Sequence, residues 1–326
     1  MIVVTGAAGF IGSNVVASLN ERGIEDVLVC DRLGSDGRWR NLRDRAVAAF
    51  VAPEELFERL RGRRDIEQVI HLGAVASTLE TDADRVMAEN YHFSLRLIDW
   101  CTEAAVPIVY ASSAATYGDG AQGFDDDPAL AALRRLRPLN LYAWSKHQLD
   151  LAMARRRETG APLPPRCIGL KFFNVFGPNE YHKGAMASLV TQVHPQVRAG
   201  ETISLFASHR PTIPDGGQRR DFVPVAYAVD VLLWLMEGPV RQGLFNVGTG
   251  RARSFADLAR AVFAAEGKRE AIAYRPMPEA LRDVYQYVTE ASTGRLRAAG
   301  WSGQAPTLED SVSDYVASYL RPLRYR

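Results

Sequence analysis

Short apolar runs alternate with longer stretches of helical periodicity through the first half of the chain. The runs at 2–5, 27–31, 68–72, 107–111 and 167–172 predict buried strands, and the stretches at 10–21, 85–104 and 141–157 predict helices between them. That alternation predicts an α/β fold, a doubly wound parallel sheet covered on both faces, with any ligand beyond the carboxyl ends of its strands. The pattern then changes. Residues 177–221 are richer in Pro and Gly, and 208–218 (SHRPTIPDGGQ) reads as a loop. An apolar helix is expected at 226–236, a strand at 244–247 and a helix at 254–266, where Ser254 is an N-cap with Asp257 in the capping-box position. No internal repeat or low-complexity tract interrupts this order.

The first predicted strand, Ile2-Val3-Val4, runs into Gly6-Ala7-Ala8-Gly9-Phe10-Ile11-Gly12. A buried strand feeding a glycine-rich turn that opens a helix is the geometry that holds a dinucleotide pyrophosphate. Gly6 permits the tight turn, Gly9 lets backbone N–H groups approach the phosphates, and Gly12 lets helix pack on strand. The second strand ends at Asp31, nineteen residues past Gly12, where an acid meets the adenosine ribose. Asp31 suits a free 2′-hydroxyl, whereas Arg32 and Arg38 suit a 2′-phosphate; an arginine beside the acid favours NADP, with NAD as the alternative.

Bulk composition excludes several classes. The 326 residues are 47% hydrophobic and 24% charged with a net charge of +1, without the dense basic footprint of a general nucleic-acid binder. No apolar run approaches membrane-spanning length, and Met1 leads straight into a strand without a basic leader, so a cytoplasmic protein is expected. Cys30, Cys101 and Cys167 lack metal-ligand or CxxC spacing and read as buried free thiols; no metal is expected.

Tyr142 and Lys146 stand four residues apart on a predicted helix and so share a face. An ammonium beside a phenol favours the phenolate, lowering a reference pKa of about 10 towards neutrality. Such a phenol takes a proton from a sugar hydroxyl while hydride leaves the same carbon. Upstream, Tyr110-Ala111-Ser112-Ser113-Ala114-Ala115-Thr116-Tyr117-Gly118 is a strand ending in small hydroxyl residues, and Ser113 is placed to hydrogen-bond both substrate and Tyr142.

These three motifs resemble the extended branch of the short-chain dehydrogenase/reductases. Within it, Pro138-Leu139-Asn140-Leu141-Tyr142, Lys171 to Pro178 (KFFNVFGP), His182 to Ser188 (HKGAMAS), Arg219 to Val223 (RRDFV) and Phe245 to Ala252 (FNVGTGRA) are similar to the ADP-L-glycero-D-manno-heptose 6-epimerases, across nearly the whole chain. The resemblance implies oxidation of C6 of an ADP-linked heptose and re-reduction from the other face. It implies Lys183 as a second proton handler across the pocket from Tyr142; neutralising a substrate phosphate is the alternative role. It also implies cofactor contacts at Phe10, Ile11, Asp31, Arg32, Arg38, Leu72, Gly73, Ala74, Asn90, Lys146, Val175 and Lys183, and substrate contacts at Ser113, Asn174, Ala185, Gln192, Phe206, Arg220 and Tyr285.

The same resemblance implies a homo-oligomer, pentameric in the family, that supplies a lipopolysaccharide-core precursor in a Gram-negative cytoplasm. The dinucleotide-binding domain is expected to comprise 1–174, 219–248 and 285–310, and a smaller substrate lobe 175–218, 249–284 and 311–326. Ala185 stands where the family often has a polar residue, Gln192 where it often has histidine, and 208–218 is longer than in compact members. A 4,6-dehydratase is disfavoured because Ala114-Ala115 follows Ser113 in place of an acidic pair. A 4-epimerase of another nucleotide sugar, for which Lys183 is dispensable, and a catalytically silent cofactor-binding sensor remain as alternatives.

Overall fold

The apolar runs assemble into a parallel sheet in the computed structural model, which describes residues 1–282 and 285–326. The strands are β1 (Ile2–Thr5), β2 (Val27–Cys30), β3 (Ala49–Val51), β4 (Gln68–His71), β5 (Ile108–Ser113) and β6 (Cys167–Phe172), then β7 (Asn174–Phe176), β8 (Ile203–Phe206), β9 (Arg219–Pro224), β10 (Gln242–Val247), β11 (Ala252–Ser254) and β12 (Ile272–Arg275). Seven of them form the main sheet in the order β10-β6-β5-β4-β1-β2-β3, every pairing parallel. The order reverses at β1, so a crevice opens between β1 and β4 at their carboxyl ends.

Continuous apolar runs are what a sheet covered on both faces needs. Val3, Leu28 and Val69 face one cluster with Leu97, Ile98 and Leu149, while Val4, Val29 and Ile70 face the other with Val15 and Val16. Val3 pairs with Leu28 and Val69 and is fully buried, as are both partners. Each such side chain contributes about 1.5–3 kcal/mol through burial.

A separate core joins β7–β9 and β12 to the helices Leu189–Ala199, Phe255–Ala265 and Leu308–Tyr315. It includes Phe176, Val190, Leu205, Leu258, Val262, Val312 and Tyr315. The change from one core to the other falls inside β9, where Phe222 packs into the second cluster and Val223 into the first. Strand β9 itself pairs with β7 and β11, in a three-stranded sheet apart from the main one. Asp283 and Val284, in the expected 249–284 segment, lie outside the described residues.

Several sequence expectations shift in detail. The helix expected at 85–104 starts at Ala83, because Asp82 caps it by accepting the Arg85 N–H at 3.0 Å. It widens into a π-turn over Met87–His92 before resuming as Phe93–Glu103. Strand β3 is absent from the sequence reading: three residues on a sheet edge, with Phe50 exposed, carry too short a pattern. The Ser254–Asp257 capping box is present in full.

Candidate functional site

Close backbone packing at the crevice dictates its glycines. Gly6 has φ +66°, and a Cβ there would stand 2.6 Å from the Gly73 nitrogen; a Cβ on Gly12 would stand 2.0 Å from the Gly6 oxygen. The Phe10–Glu21 helix therefore begins flush against β1, with the N–H groups of its first turn facing the crevice. Thr5 and His71 stitch β1 to β4 beneath it, Oγ1 and Nδ1 2.6 Å apart, and His71 Nε2 meets Ser94 Oγ at 2.8 Å. Burial drives the His71 imidazole down to about 3, so it is a neutral brace.

Asp31 follows β2 and accepts the Ala8 N–H at 2.8 Å, with burial pushing its carboxyl up against those backbone bonds. The arginines beside it are both paired. Arg38 meets Asp36 at 2.6 Å and stands 3.9 Å from Asp31, while Arg32 donates to Glu54 at 2.7 Å and meets Glu89 at 3.0 Å.

The end of β5 and the Leu141–Thr159 helix bring Ser113, Tyr142 and Lys146 to the same wall. Asn140 caps that helix, its side chain accepting the Ala143 N–H at 2.9 Å, so Tyr142 and Lys146 lie in the first two turns. Lys146 Nζ donates to the Ala111 oxygen at 3.0 Å, and burial lowers its amine to about 8. The phenol behaves otherwise than the sequence spacing suggests. Burial pushes Tyr142 up, Ser113 favours the phenolate, and the nearby Asp150 opposes it. Desolvation exceeds any help from Lys146, whose amine is committed to Ala111.

The 3₁₀ segment Tyr181–Met186 brings Lys183 into the same cleft. Its Nζ stands 5.0 Å over the Phe10 ring, and burial lowers its pKa while Glu180 raises it. Glu180 anchors this segment from within, accepting the Ser188 N–H at 2.7 Å, Ser188 Oγ at 2.6 Å and Thr191 Oγ1 at 2.7 Å.

One cleft of about 1580 Å³ joins these groups. It is lined by the expected Gly6, Gly9, Phe10, Ile11, Gly12, Asp31, Arg32, Arg38, Leu72, Gly73 and Ala74, and further along by Ser113, Tyr142, Lys146, Asn174, Val175, Lys183, Ala185, Gln192, Phe206 and Tyr285. Two of the expected residues, Asn90 and Arg220, do not line this cleft directly. Asn90 is fully buried behind the wall: its Oδ1 accepts the Val75 N–H, and its Nδ2 donates to the Val75 oxygen and Ser145 Oγ, so it braces the wall. Arg220 faces an adjoining pocket of about 120 Å³ with Ala115, Leu139, Asn140, Tyr285 and Gln286. Its guanidinium lies over the Tyr285 and Phe255 rings, and burial lowers its pKa. Gln192 spends its amide N–H groups on the Ala185 and Ala187 oxygens, holding the Lys183 segment from behind.

Sequence reasoning missed Asp150, Lys171 and Arg275. Asp150 is one turn beyond Lys146 on the same helix face, a spacing that was open to inspection; it pairs with the fully buried Lys171 at 2.8 Å. Arg275 lies 5.0 Å over the cleft-lining Phe206 ring, and no local pattern announces it. Among the described residues no cluster of His, Cys, Asp and Glu is arranged to hold a metal, and no helix is long and apolar enough to cross a membrane.

A glycine cradle at a strand-order reversal, facing a Ser-Tyr-Lys set, defines a nucleotide-dependent oxidoreductase-type site. Residues 2–248 match the NAD dependent epimerase/dehydratase family, and the chain belongs to that family. Its relatives include the ADP-L-glycero-D-manno-heptose-6-epimerase of Nitratidesulfovibrio vulgaris, 44% identical over 323 residues and 98% of both chains. The protein of the same name from Fusobacterium nucleatum is 42% identical over 329 residues, again 98% of each. Among solved structures, the Helicobacter pylori ADP-L-glycero-D-manno-heptose-6-epimerase superposes with a TM-score of 0.79 at 25% identity, covering 97% of this chain and 95% of that one. The UDP-glucose 4-epimerase of Thermotoga maritima superposes with a TM-score of 0.80 at 26% identity, covering 99% of both.

Proposed function

We propose that this protein inverts C6 of the heptose in ADP-glycero-manno-heptose by transient oxidation to a ketone and re-reduction. The observation that carries the reading is the Lys183 amine, held over Phe10 in the same cleft as Tyr142. Full-length relatives bearing that name support the substrate.

A nicotinamide cofactor held there would take the hydride from C6 and give it back to the same carbon. The cradle of Gly6, Gly9 and Gly12 fits its pyrophosphate, since a Cβ at Gly12 would collide with the Gly6 backbone. Tyr142 accepts the C6 hydroxyl proton of one epimer, with Ser113 hydrogen-bonded to the same oxygen. The ketone then presents its other face, and Lys183 returns a proton to the oxygen from the opposite wall. Desolvation lowers the Lys183 amine, the direction that such an exchange requires. Arg220, a buried cation whose guanidinium donates to the Arg219 main-chain oxygen at 2.9 Å, suits the ADP diphosphate.

NADP is the proposed cofactor, its 2′-phosphate received by Arg38 and Arg32. The pairing of both arginines with Asp36, Glu54 and Glu89 favours NAD as a second reading. A cytoplasmic homo-oligomer that supplies a lipopolysaccharide-core precursor completes the proposal; light scattering of the purified protein tests its assembly.

Incubation with either ADP-heptose epimer, followed by NMR, should give the same final ratio from both. No interconversion overturns the reading. Lys183→Ala separates it from a 4-epimerase, which would keep near-normal turnover without that amine.

A further inference from the structure

Asn179 is a fully buried residue with φ +72°, a backbone conformation that side-chain-bearing residues rarely adopt. Its side chain pairs in both directions with the main chain of Arg326. Asn179 Oδ1 accepts the Arg326 N–H at 2.8 Å, and Nδ2 donates to the Arg326 main-chain oxygen at 3.2 Å. The same Nδ2 donates to Ser13 Oγ at 3.0 Å, on the helix that opens the cofactor cradle.

The Arg326 side chain completes the connection. Its guanidinium donates to Ser18 Oγ and Glu21 Oε2, both at 2.8 Å, farther along that helix. Residues separated by 308 and 305 positions are thus tied by a charged group that is only 16% exposed. A second tie runs alongside, from the Tyr181 hydroxyl to the Arg324 oxygen at 2.9 Å.

Immediately after Asn179 the chain turns, the Lys183 N–H donating to the Glu180 oxygen at 3.0 Å. The turn ends with the Lys183 amine over Phe10, the first residue of the helix that Arg326 grips. Arg326 thus bonds Asn179, four residues before Lys183, through its main chain and the helix that begins at Phe10 through its side chain, beside the direct bonds from Asn179 to Ser13 and from Asn14 to the Pro178 oxygen.

We propose that Arg326 is a positioning residue for the reaction: it ties the turn between Asn179 and Lys183 to the cofactor-cradle helix and so sets where the Lys183 amine stands. The role rests on the proton-handling assignment of Lys183. A displaced amine meets the reacting oxygen at the wrong distance, which slows the proton step and leaves ground-state binding intact.

The test compares Arg326→Ala, Arg326→Lys, Lys183→Ala and the Lys183→Ala/Arg326→Ala double variant in the full chain with ADP-heptose. Arg326→Ala should lower kcat about tenfold with KM and cofactor Kd within about twofold, and Arg326→Lys should recover part of the loss by reaching Glu21. The double variant should be no slower than Lys183→Ala, because two changes acting through one group do not add. Unchanged kcat in Arg326→Ala beside an inactive Lys183→Ala overturns the positioning role and leaves Lys183 its part. A parallel loss of kcat, cofactor affinity and Tm, or a further drop in the double variant, overturns it as well. Normal turnover in Lys183→Ala removes the Lys183 assignment and the positioning role together.

Discussion

The Lys146 ammonium donates to the main-chain oxygen of Ala111 at 3.0 Å, so the end of β5 holds the amine while Tyr142 stands one helical turn away. Burial at this point costs stability in a definable pH range. The amine is lowered to about 8 when folded, against about 10.4 in an unfolded chain. Below pH 8 both states carry the proton and the folded state bears the full cost of desolvating it. Between those values the unfolded chain binds more protons, so stability rises with pH. Lys146→Met should therefore be more stable than the parent at pH 7, by about 1–3 kcal/mol. Denaturant unfolding at pH 7 and pH 9.5 measures this; a gap that does not narrow at the higher pH refutes it. The gain in stability should accompany loss of turnover, a cost characteristic of groups retained for chemistry.

Tyr142→Phe removes the hydroxyl and little else. The phenol lines the cleft beside Ser113, and its ring is carried by a helix that Asn140 caps independently. NADPH affinity should stay within about threefold while epimerisation falls about 10²–10⁴-fold, the range of a lost general acid–base group. Fluorescence titration and the NMR assay read the two quantities separately. Full activity would remove Tyr142 from the chemistry, and undetectable activity in the parent would favour a silent sensor.

The main sheet was legible because its strands are buried on both faces, which leaves uninterrupted apolar runs such as Ile2-Val3-Val4. The glycine cradle was legible because Gly6 and Gly12 answer a steric demand no other residue meets. Tyr142 and Lys146 were legible as a local helical spacing, although the resulting direction of the Tyr142 shift was not, since desolvation depends on neighbours distant in sequence. The bonds of Asn90 to Val75 and Ser145 were not legible, because they are made from a π-turn that periodicity does not announce. The Arg326 tie spans almost the whole chain, and no local pattern encodes it.

Cofactor choice turns on the competition for Arg38. Its guanidinium is held by Asp36 at 2.6 Å and lies 3.9 Å from Asp31, so a 2′-phosphate must draw it from one carboxylate. Arg38→Ala should weaken NADPH binding by about 1.5–3 kcal/mol, the worth of a charged hydrogen bond, and leave NADH binding nearly unchanged. Titration with both reduced cofactors checks it. Tighter binding of NADH to the parent, with Arg38→Ala affecting both cofactors alike, would establish NAD as the cofactor and Arg38 as a structural partner of Asp36.

On the helix that carries Tyr142 and Lys146, Asp150 forms an ion pair with Lys171, neither side chain exposed, at 2.8 Å. Ser112 Oγ donates to the same Asp150 oxygen at 2.8 Å, and the Lys171 amine also reaches Thr116 and faces the Tyr117 ring at 4.7 Å. Removing one partner strands the other charge in a dry interior. Lys171→Met should cost about 3–5 kcal/mol, whereas Asp150→Leu/Lys171→Met should cost much less than the two single changes combined. Stability alone does not explain such a pair, since apolar residues would fill the space as well. Asp150 also raises the Lys146 amine against the lowering by burial. Asp150→Asn should then shift the Lys146 titration to lower pH, visible as an earlier alkaline change in the kcat profile. If that profile keeps its position while stability falls, the pair serves the fold and leaves the neighbouring amine untouched.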